Sequence, residues 1–419
     1  MTGHVRKRGS VWEVVLELGT QTAQRCPSCA AKRGRGAGRL LWADDEQRDA
    51  CPACGGDLED VERRRQIVLP DRFRLKTEAD ARLTAEKQAD ALGGFVEPSK
   101  LSLGAYINDE WLPSLAGEEL TAGTIRVYAT HVRERIVPVL GGVPLQKLSS
   151  RDVKRLRTHM ATHEGTRGRI PSAQTRKQTL VTLHKALGAA VRDGLVSTNA
   201  AHGVKRPRVH KREMQTWSAG QLHAFLEITK DTRLYPVWRF LAQTGLRRGE
   251  ALGLMLDSLD LDAGKVMIRR QRKQDGYAVE EGPLKSDARR SISIDSGTVV
   301  TLRAQLQRQL DDAAEWRGAW QATGHVFTRE DGSPWHPDRV SKLFEEAVKA
   351  APVPRIRLHD LRHTWATLAL RAGVHPKVVQ ERLGHANISI TMDLYSHVMP
   401  DMQESAAELV ASIVDGSEG

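Results

Sequence analysis

The chain has 419 residues, of which 40% are apolar and 27% charged. At roughly 100–200 residues per domain this length predicts two to four domains with cores, and the composition excludes wholesale disorder, a collagen-like fibre and a disulfide-stapled miniprotein. No apolar run nears the ~18 residues that span a bilayer, and the opening Met1–Arg6 lacks the apolar segment of a secretory leader; a soluble cytoplasmic protein is expected.

The net charge of +11 is unevenly placed. Residues 1–99 hold 17 Lys+Arg against 16 Asp+Glu, and residues 217–419 hold 26 against 27. The stretch 100–216 holds 20 against 9, so nearly all the excess lies there. A basic middle segment between near-neutral neighbours reads either as a module that tracks phosphates or as a solvated helical face.

In chain order, residues 1–99 form a small α+β domain. Ser10–Leu18 alternates apolar and polar residues and predicts a strand, as does Arg65–Leu69. Thr77 reads as the N-cap of an alanine-rich helix running to Leu92, where Gly93 and Gly94 stop it. Between the strands, at about 24–60, lies an insertion with all four cysteines: Cys26 and Cys29 form one C-x-x-C, Cys51 and Cys54 another, 21 residues apart. In a cytosolic protein that spacing favours a structural, tetrahedral Zn2+ over redox chemistry or mere reduced thiols. Four protein ligands leave no open position for catalysis. Lys32, Arg33, Arg35 and Arg39 lie between the knuckles, placed to contact DNA phosphate or simply to be solvated.

Residues 100–203 predict an all-helical domain. Ile125, Tyr128, Val132 and Ile136 recur at helical spacing; Ser150 opens a helix towards Met160; Leu180, Leu183, Leu187 and Val191 line another that ends near Gly194. Residues 204–216 are basic, polar and proline-broken, as expected of a linker. Residues 217–405 form the largest domain, mixed but mainly helical. Ser218 caps a helix through Ile228, Tyr235 to Ala242 belong to another, and 265–268 and 290–294 alternate as strands. The last residues, 406–419, read as a tail.

Within this last domain, five short segments carry groups suited to an anionic substrate: Thr244–Glu250, Pro283–Ser286, Leu358–Thr364, Leu383–His385 and Asp393–His397. A phosphodiester under attack gains negative charge on its non-bridging oxygens, and the forked guanidinium matches that geometry better than a lysine does. Arg247 and Arg362 are the candidates for this clamp. His359 and Arg362 lie three apart, so a helix would present them on one face. A tyrosine phenol, ordinarily near pKa 10, can attack phosphorus if cations and a base ease its proton loss, and Tyr395 is the candidate nucleophile. Lys285, on a turn between the two strands, could protonate the leaving 5′ oxygen as general acid.

In order and spacing these segments resemble the tyrosine recombinases, the phage-integrase family. The likeness extends over nearly the whole chain, because residues 1–99 and 100–203 resemble that family's arm-binding and core-binding domains. It implies a multidomain, mainly α fold with small β elements. It also implies the same roles for Tyr395 and Lys285, with His359 and His385 handling protons or hydrogen bonds and Glu250 orienting an arginine. The family pattern selects Arg247 over Arg248; His363 and His397 read as structural. Ser286 stands where the family often has threonine, and Arg289 and Arg290 are expected at phosphate. The resemblance implies a homotetramer on double-stranded DNA attachment sites and a 3′-phosphotyrosyl intermediate leading to a Holliday junction. Further implied are an excision or direction factor and a host DNA-bending protein as partners, with no cofactor for catalysis and no membrane. A catalytically silent DNA-binding regulator of the same fold and a type IB topoisomerase remain alternatives.

Overall fold

The computed structural model describes residues 1–30, 40–42, 49–91, 94–166, 168–209, 214–275, 278–284, 289–385, 387–389, 391–392 and 411. The chain is multidomain and mainly α with small sheets, and it divides into two compact units, Met1–His210 and Lys211–Gly419. No described helix is long and apolar enough to cross a membrane.

The first unit opens with an antiparallel sheet. β1 (Thr2–Arg8) pairs with β2 (Val11–Arg25), which also pairs with β3 (Leu41–Trp42) and β4 (Glu59–Val68). β2 is thus far longer than the Ser10–Leu18 expectation, and β1 carries too few apolar residues to be recognised before its partner is known. Helix α1 (Lys76–Ala91) packs on this sheet so closely that a Cβ on Gly3 would meet Leu83 Cδ1 at 2.9 Å. Thr77 lies inside that helix rather than capping it; the Glu78 carboxylate accepts from the Leu75 N–H instead. Val14, Leu16, Leu69 and Ala79 form the small core between sheet and helix.

A separate helical core follows. Helices α2 (Ala122–His131), α3 (Ser150–Thr162) and α4 (Ala173–Arg192) bury Val132, Ile136, Leu156, Leu183 and Leu187 among other residues. Ser149, not Ser150, caps α3, in a capping box with Asp152. Two π turns, Tyr106–Trp111 and Val132–Ile136, each lie just ahead of a proline, Pro113 and Pro138. A proline lacks the N–H that an α turn needs and crowds the carbonyl four residues back, so the wider turn relieves both defects. Val204, placed at the head of the linker, is buried in this core, and Arg157 holds the Lys205 carbonyl at 3.1 Å. Its apolar side chain, not the surrounding basic pattern, decides that position.

The second unit is built on an aromatic core in which Phe344 meets Phe225 and Trp238 edge-on at 5.3 Å, with Trp217 beside them. Around it run α5 (Ala219–Ile228), α6 (Tyr235–Thr244), α7 (Arg248–Leu252), α8 (Ser296–Trp316), α9 (Pro337–Ala350), α10 (Asp360–Arg371) and α11 (Pro376–Leu383). Ser218 caps α5 in a capping box with Gln221. The expected strands are β6 (Lys265–Ile268) and β9 (Arg290–Ser293), joined with β5 (Leu259–Asp260) in one sheet. Between β6 and β9 the chain makes a hairpin that the sequence reading lacks, β7 (Arg270–Asp275) with β8 (Ala278–Pro283). Its polar strands, RQRKQD and AVEEGP, carry no clear period-two apolar face.

Candidate active site

Three segments far apart in sequence converge on one helix end. Helix α11 stops at Gly384, which takes the left-handed conformation (φ +65°) that glycine tolerates best. The carbonyls left open there carry the negative end of the helix dipole. Arg290 Nε donates to the Arg382 carbonyl at 2.8 Å, Arg362 Nη2 to the Leu383 carbonyl at 2.8 Å, and Arg247 Nη2 to the Gly384 carbonyl at 3.2 Å. Three guanidiniums therefore hang on three consecutive carbonyls.

A second device places Arg362. Helix α6 ends at Gly245, also left-handed (φ +66°), and its carbonyl accepts from Arg362 Nη1 at 3.0 Å. A Cβ at Gly245 would stand 2.7 Å from Leu383 and 2.9 Å from the Trp365 ring. Only glycine satisfies both the dihedral and the space. Arg362 is 3% exposed, and burial, reinforced by the Arg247 charge, pulls its pKa down to about 9. It is still cationic at neutral pH.

Glu250, 2% exposed, joins two of these arginines: Arg247 Nη1 at 2.9 Å and Arg290 Nη2 at 2.8 Å. It also accepts from the Arg247 backbone N–H at 3.1 Å, closing the first turn of α7. Burial alone would raise its pKa, but the Arg290 and Arg247 bonds outweigh this and hold it below the usual range. Arg290, expected at phosphate, is thus a structural partner of this carboxylate. Nothing in its local sequence marks that role, which depends on β9 lying beside α7. Arg248 turns away to the Pro337 carbonyl at 3.0 Å and Ser341 Oγ at 2.6 Å. Of the adjacent pair, Arg247 is the one at the cradle.

His385 follows directly, with Nδ1 2.9 Å from the buried Thr391 hydroxyl, a partner that the sequence reading lacks. Burial and the Arg362 and Arg247 charges bring its pKa down to about 4. His359 precedes α10 with helical dihedrals and meets His363 edge-on at 5.1 Å. Desolvation and the His363 and Arg362 charges lower it to about 4, a shift that solvent at its exposed edge moderates. Both rings are neutral at pH 7. The structure so brings together Arg247, Glu250, His359, Arg362 and His385. Lys285, Tyr395 and His397 lie outside the described residues, as do Ser286 and most of 393–419.

In the first unit, the four cysteines meet. Their sulfurs all lie within 4.8 Å of one another, with Cys26–Cys54 and Cys29–Cys54 at 3.5 Å and Cys29–Cys51 at 3.8 Å. A disulfide needs about 2.05 Å, whereas four sulfurs at ~2.3 Å from a tetrahedral centre stand about 3.8 Å apart. The set fits a metal and not a disulfide. Turns shape it: Ala30 N–H bonds the Cys26 carbonyl, and Gly55 (φ +69°) N–H bonds the Cys51 carbonyl. The N–H of Ala53, with that of Cys54, helps bring the Cys51 thiol down to about 7. The basic residues between the knuckles, 31–39, lie outside the described residues.

A helical unit that gathers guanidiniums from three separated segments onto one helix end, with two neutral imidazoles beside them, is built to hold an oxyanion. Residues 214–402 match the model of the phage integrase family. Among its relatives is a XerC-like tyrosine recombinase of Caldanaerobacter subterraneus subsp. tengcongensis, 31% identical over 209 residues, or 47% of this chain and 54% of that protein. The chain thus spans about half the length of that relative. The ICEBs1 integrase of Bacillus subtilis is 25% identical over 63% of this chain and 71% of its own. The fold is similar to that of the Tn1549 transposon integrase, solved in complex with a circular intermediate DNA (TM-score 0.61, 19% identity, 74% of this chain and 99% of that one).

Proposed function

We propose that the chain is a site-specific DNA recombinase of the integrase type, acting through a 3′-phosphotyrosyl intermediate. The observation that carries this reading is the Arg247–Arg362 cradle, bonded to neighbouring carbonyls at the end of α11 with His385 next in the chain. Arg247 and Arg362 hold the non-bridging oxygens of the scissile phosphate. Neutral His359 and His385 donate or accept hydrogen bonds there; if the Thr391 hydroxyl donates to His385 Nδ1, its Nε2–H is left to point at the phosphate. Tyr395 attacks phosphorus, passing its phenol proton to a neutral imidazole of the site, and its O–P bond forms as the P–O5′ bond breaks. Lys285 gives the departing 5′ oxygen its proton. The ester conserves the bond energy, so the 5′ hydroxyl of a partner duplex can reverse the step and exchange strands. Two rounds, by four protomers, make and resolve a Holliday junction. The partners are duplex attachment sites; the relatives' names favour a mobile element, integrated and excised with the help of accessory factors.

The test incubates the protein with fragments of its source genome and sequences DNA that stays covalently attached after denaturation. Discrete recovered sites are expected, and none with Tyr395→Phe. Recovery undiminished by that substitution, or no covalent DNA at all, overturns the reading. Relaxation of a plasmid lacking any such site would favour the topoisomerase instead.

In the same reading Cys26, Cys29, Cys51 and Cys54 hold one structural Zn2+, which ties the end of β2 to the start of β4. A stoichiometric metal assay under reducing conditions should find one zinc per chain; less than half overturns it.

A further inference from the structure

The hairpin β7–β8 ends at Pro283, two residues before Lys285. It holds a cluster of charged and titratable groups outside the site described above. Arg272 and Glu281 face each other in the hairpin register and form an ion pair. His325, 4% exposed, reaches in from the loop that precedes Val326 and sets Nε2 3.0 Å from Glu281 Oε1 and 3.3 Å from Arg272 Nη1. The other side of the same residue meets the arginine-bearing helix. A Cβ on Gly249 would lie 2.6 Å from the Arg272 carbonyl oxygen, and one on Gly253 2.9 Å from Gln271 Cα. Helix α7, which follows Arg247 and carries Glu250, therefore rests on the β7 backbone at the point where the Arg272 side chain grips β8.

Enclosing a cation such as Arg272, 9% exposed, costs free energy that apolar residues would avoid, and the best-attested return is a fixed register. A hairpin needs that here. With polar strands and no apolar face, register is weakly specified, and a slip of one residue turns every side chain over. The Arg272–Glu281 pair exists in one register only, and His325 anchors it to the catalytic unit.

We propose that Arg272, Glu281 and His325 form a register latch that positions Lys285 over the leaving 5′ oxygen. They are positioning residues, acting through Lys285, and the inference rests on the general-acid reading of that lysine. An error of about 1 Å in such a group costs up to roughly 100-fold in rate.

The test compares two duplexes bearing the attachment site recovered by covalent trapping. One has the ordinary phosphodiester; in the other a bridging sulfur replaces the leaving 5′ oxygen. A thiol, with pKa near 8.5, departs as thiolate and needs no proton. In single-turnover cleavage, Glu281→Gln, His325→Gln and Arg272→Lys should be about 10- to 100-fold slow on the oxygen substrate and within about 3-fold of the unaltered protein on sulfur. Equal slowing on both substrates, as from a damaged fold, overturns the latch, and so does no slowing on oxygen. Arg272→Lys keeps the charge should a neutral variant fail to fold. Lys285→Ala separates the two levels: if sulfur does not rescue it, the general-acid reading is what fails.

Discussion

The arginine cradle and the cysteine cluster each collect like groups from distant points, yet they manage the resulting repulsion differently. In the cradle, three guanidiniums are supported by the carbonyls of Arg382, Leu383 and Gly384 and by Glu250. Its geometry is therefore complete before any phosphate arrives. Among the described residues, the four thiols have only backbone N–H groups, those of Ala53 and Cys54 at Cys51, as a counterweight. As thiolates they would repel one another, and the proposed divalent cation would reconcile them. On the proposed readings, one site is shaped for its ligand by the fold, while the other would lend the fold its shape through the ligand.

The sharpest way to break this contrast is at Arg362. Arg362→Ala and Arg247→Ala should each slow strand cleavage by on the order of 100- to 1,000-fold, as loss of one oxyanion donor does, whereas Arg248→Ala should change it by less than about 10-fold. Single-turnover cleavage of the recovered site checks all three; the opposite ranking of Arg247 and Arg248 would reverse the assignment of the arginine pair. Next comes metal removal. A strong chelator should strip hydrogen-exchange protection from the ends of β2 and β4 while leaving α6, α10 and α11 protected. Equal loss in both units would show that the cysteines do not act locally.

The smallest effect concerns pH. His385 binds its proton near pH 4 in the folded unit and near 6.5 when unfolded, so between those values the unfolded state holds more protons. Stability is then fully present above about 6.5 and falls as pH drops through the window. After discounting for the half-exposed ring, His385 contributes about 1–2 kcal/mol of that fall. Urea unfolding of His385→Gln at pH 7 and pH 4.5 should show a correspondingly shallower loss; an identical slope would mean that the ring titrates normally.

How much of this was legible in the sequence depended on the range over which each signal acts. The cysteine knuckles are legible because C-x-x-C spacing is local and brings two sulfurs onto one turn, and the four sulfurs do meet. Ser218 as a cap and the strands at 265–268 and 290–293 are legible for the same reason. Arg247, Arg362 and His385 are legible through family resemblance, whereas Arg290 and Thr391 gain their roles only when β9 and the segment after α11 are folded beside them. The hairpin β7–β8 is hidden because its strands are stabilised by charge pairs and backbone bonds, not by an apolar stripe. Val204 shows the reverse error: a basic neighbourhood masked one apolar anchor.

The three guanidiniums at the end of α11 are matched by a single carboxylate, Glu250, and the nearby imidazoles are neutral. Among the described residues, this leaves the pocket two positive charges in hand. A resting phosphodiester brings one negative charge, and the five-coordinate species formed under attack brings two. In the proposed reaction Lys285, outside the described residues, would add a further cation, so the surplus positive charge would favour the passing state over the bound one.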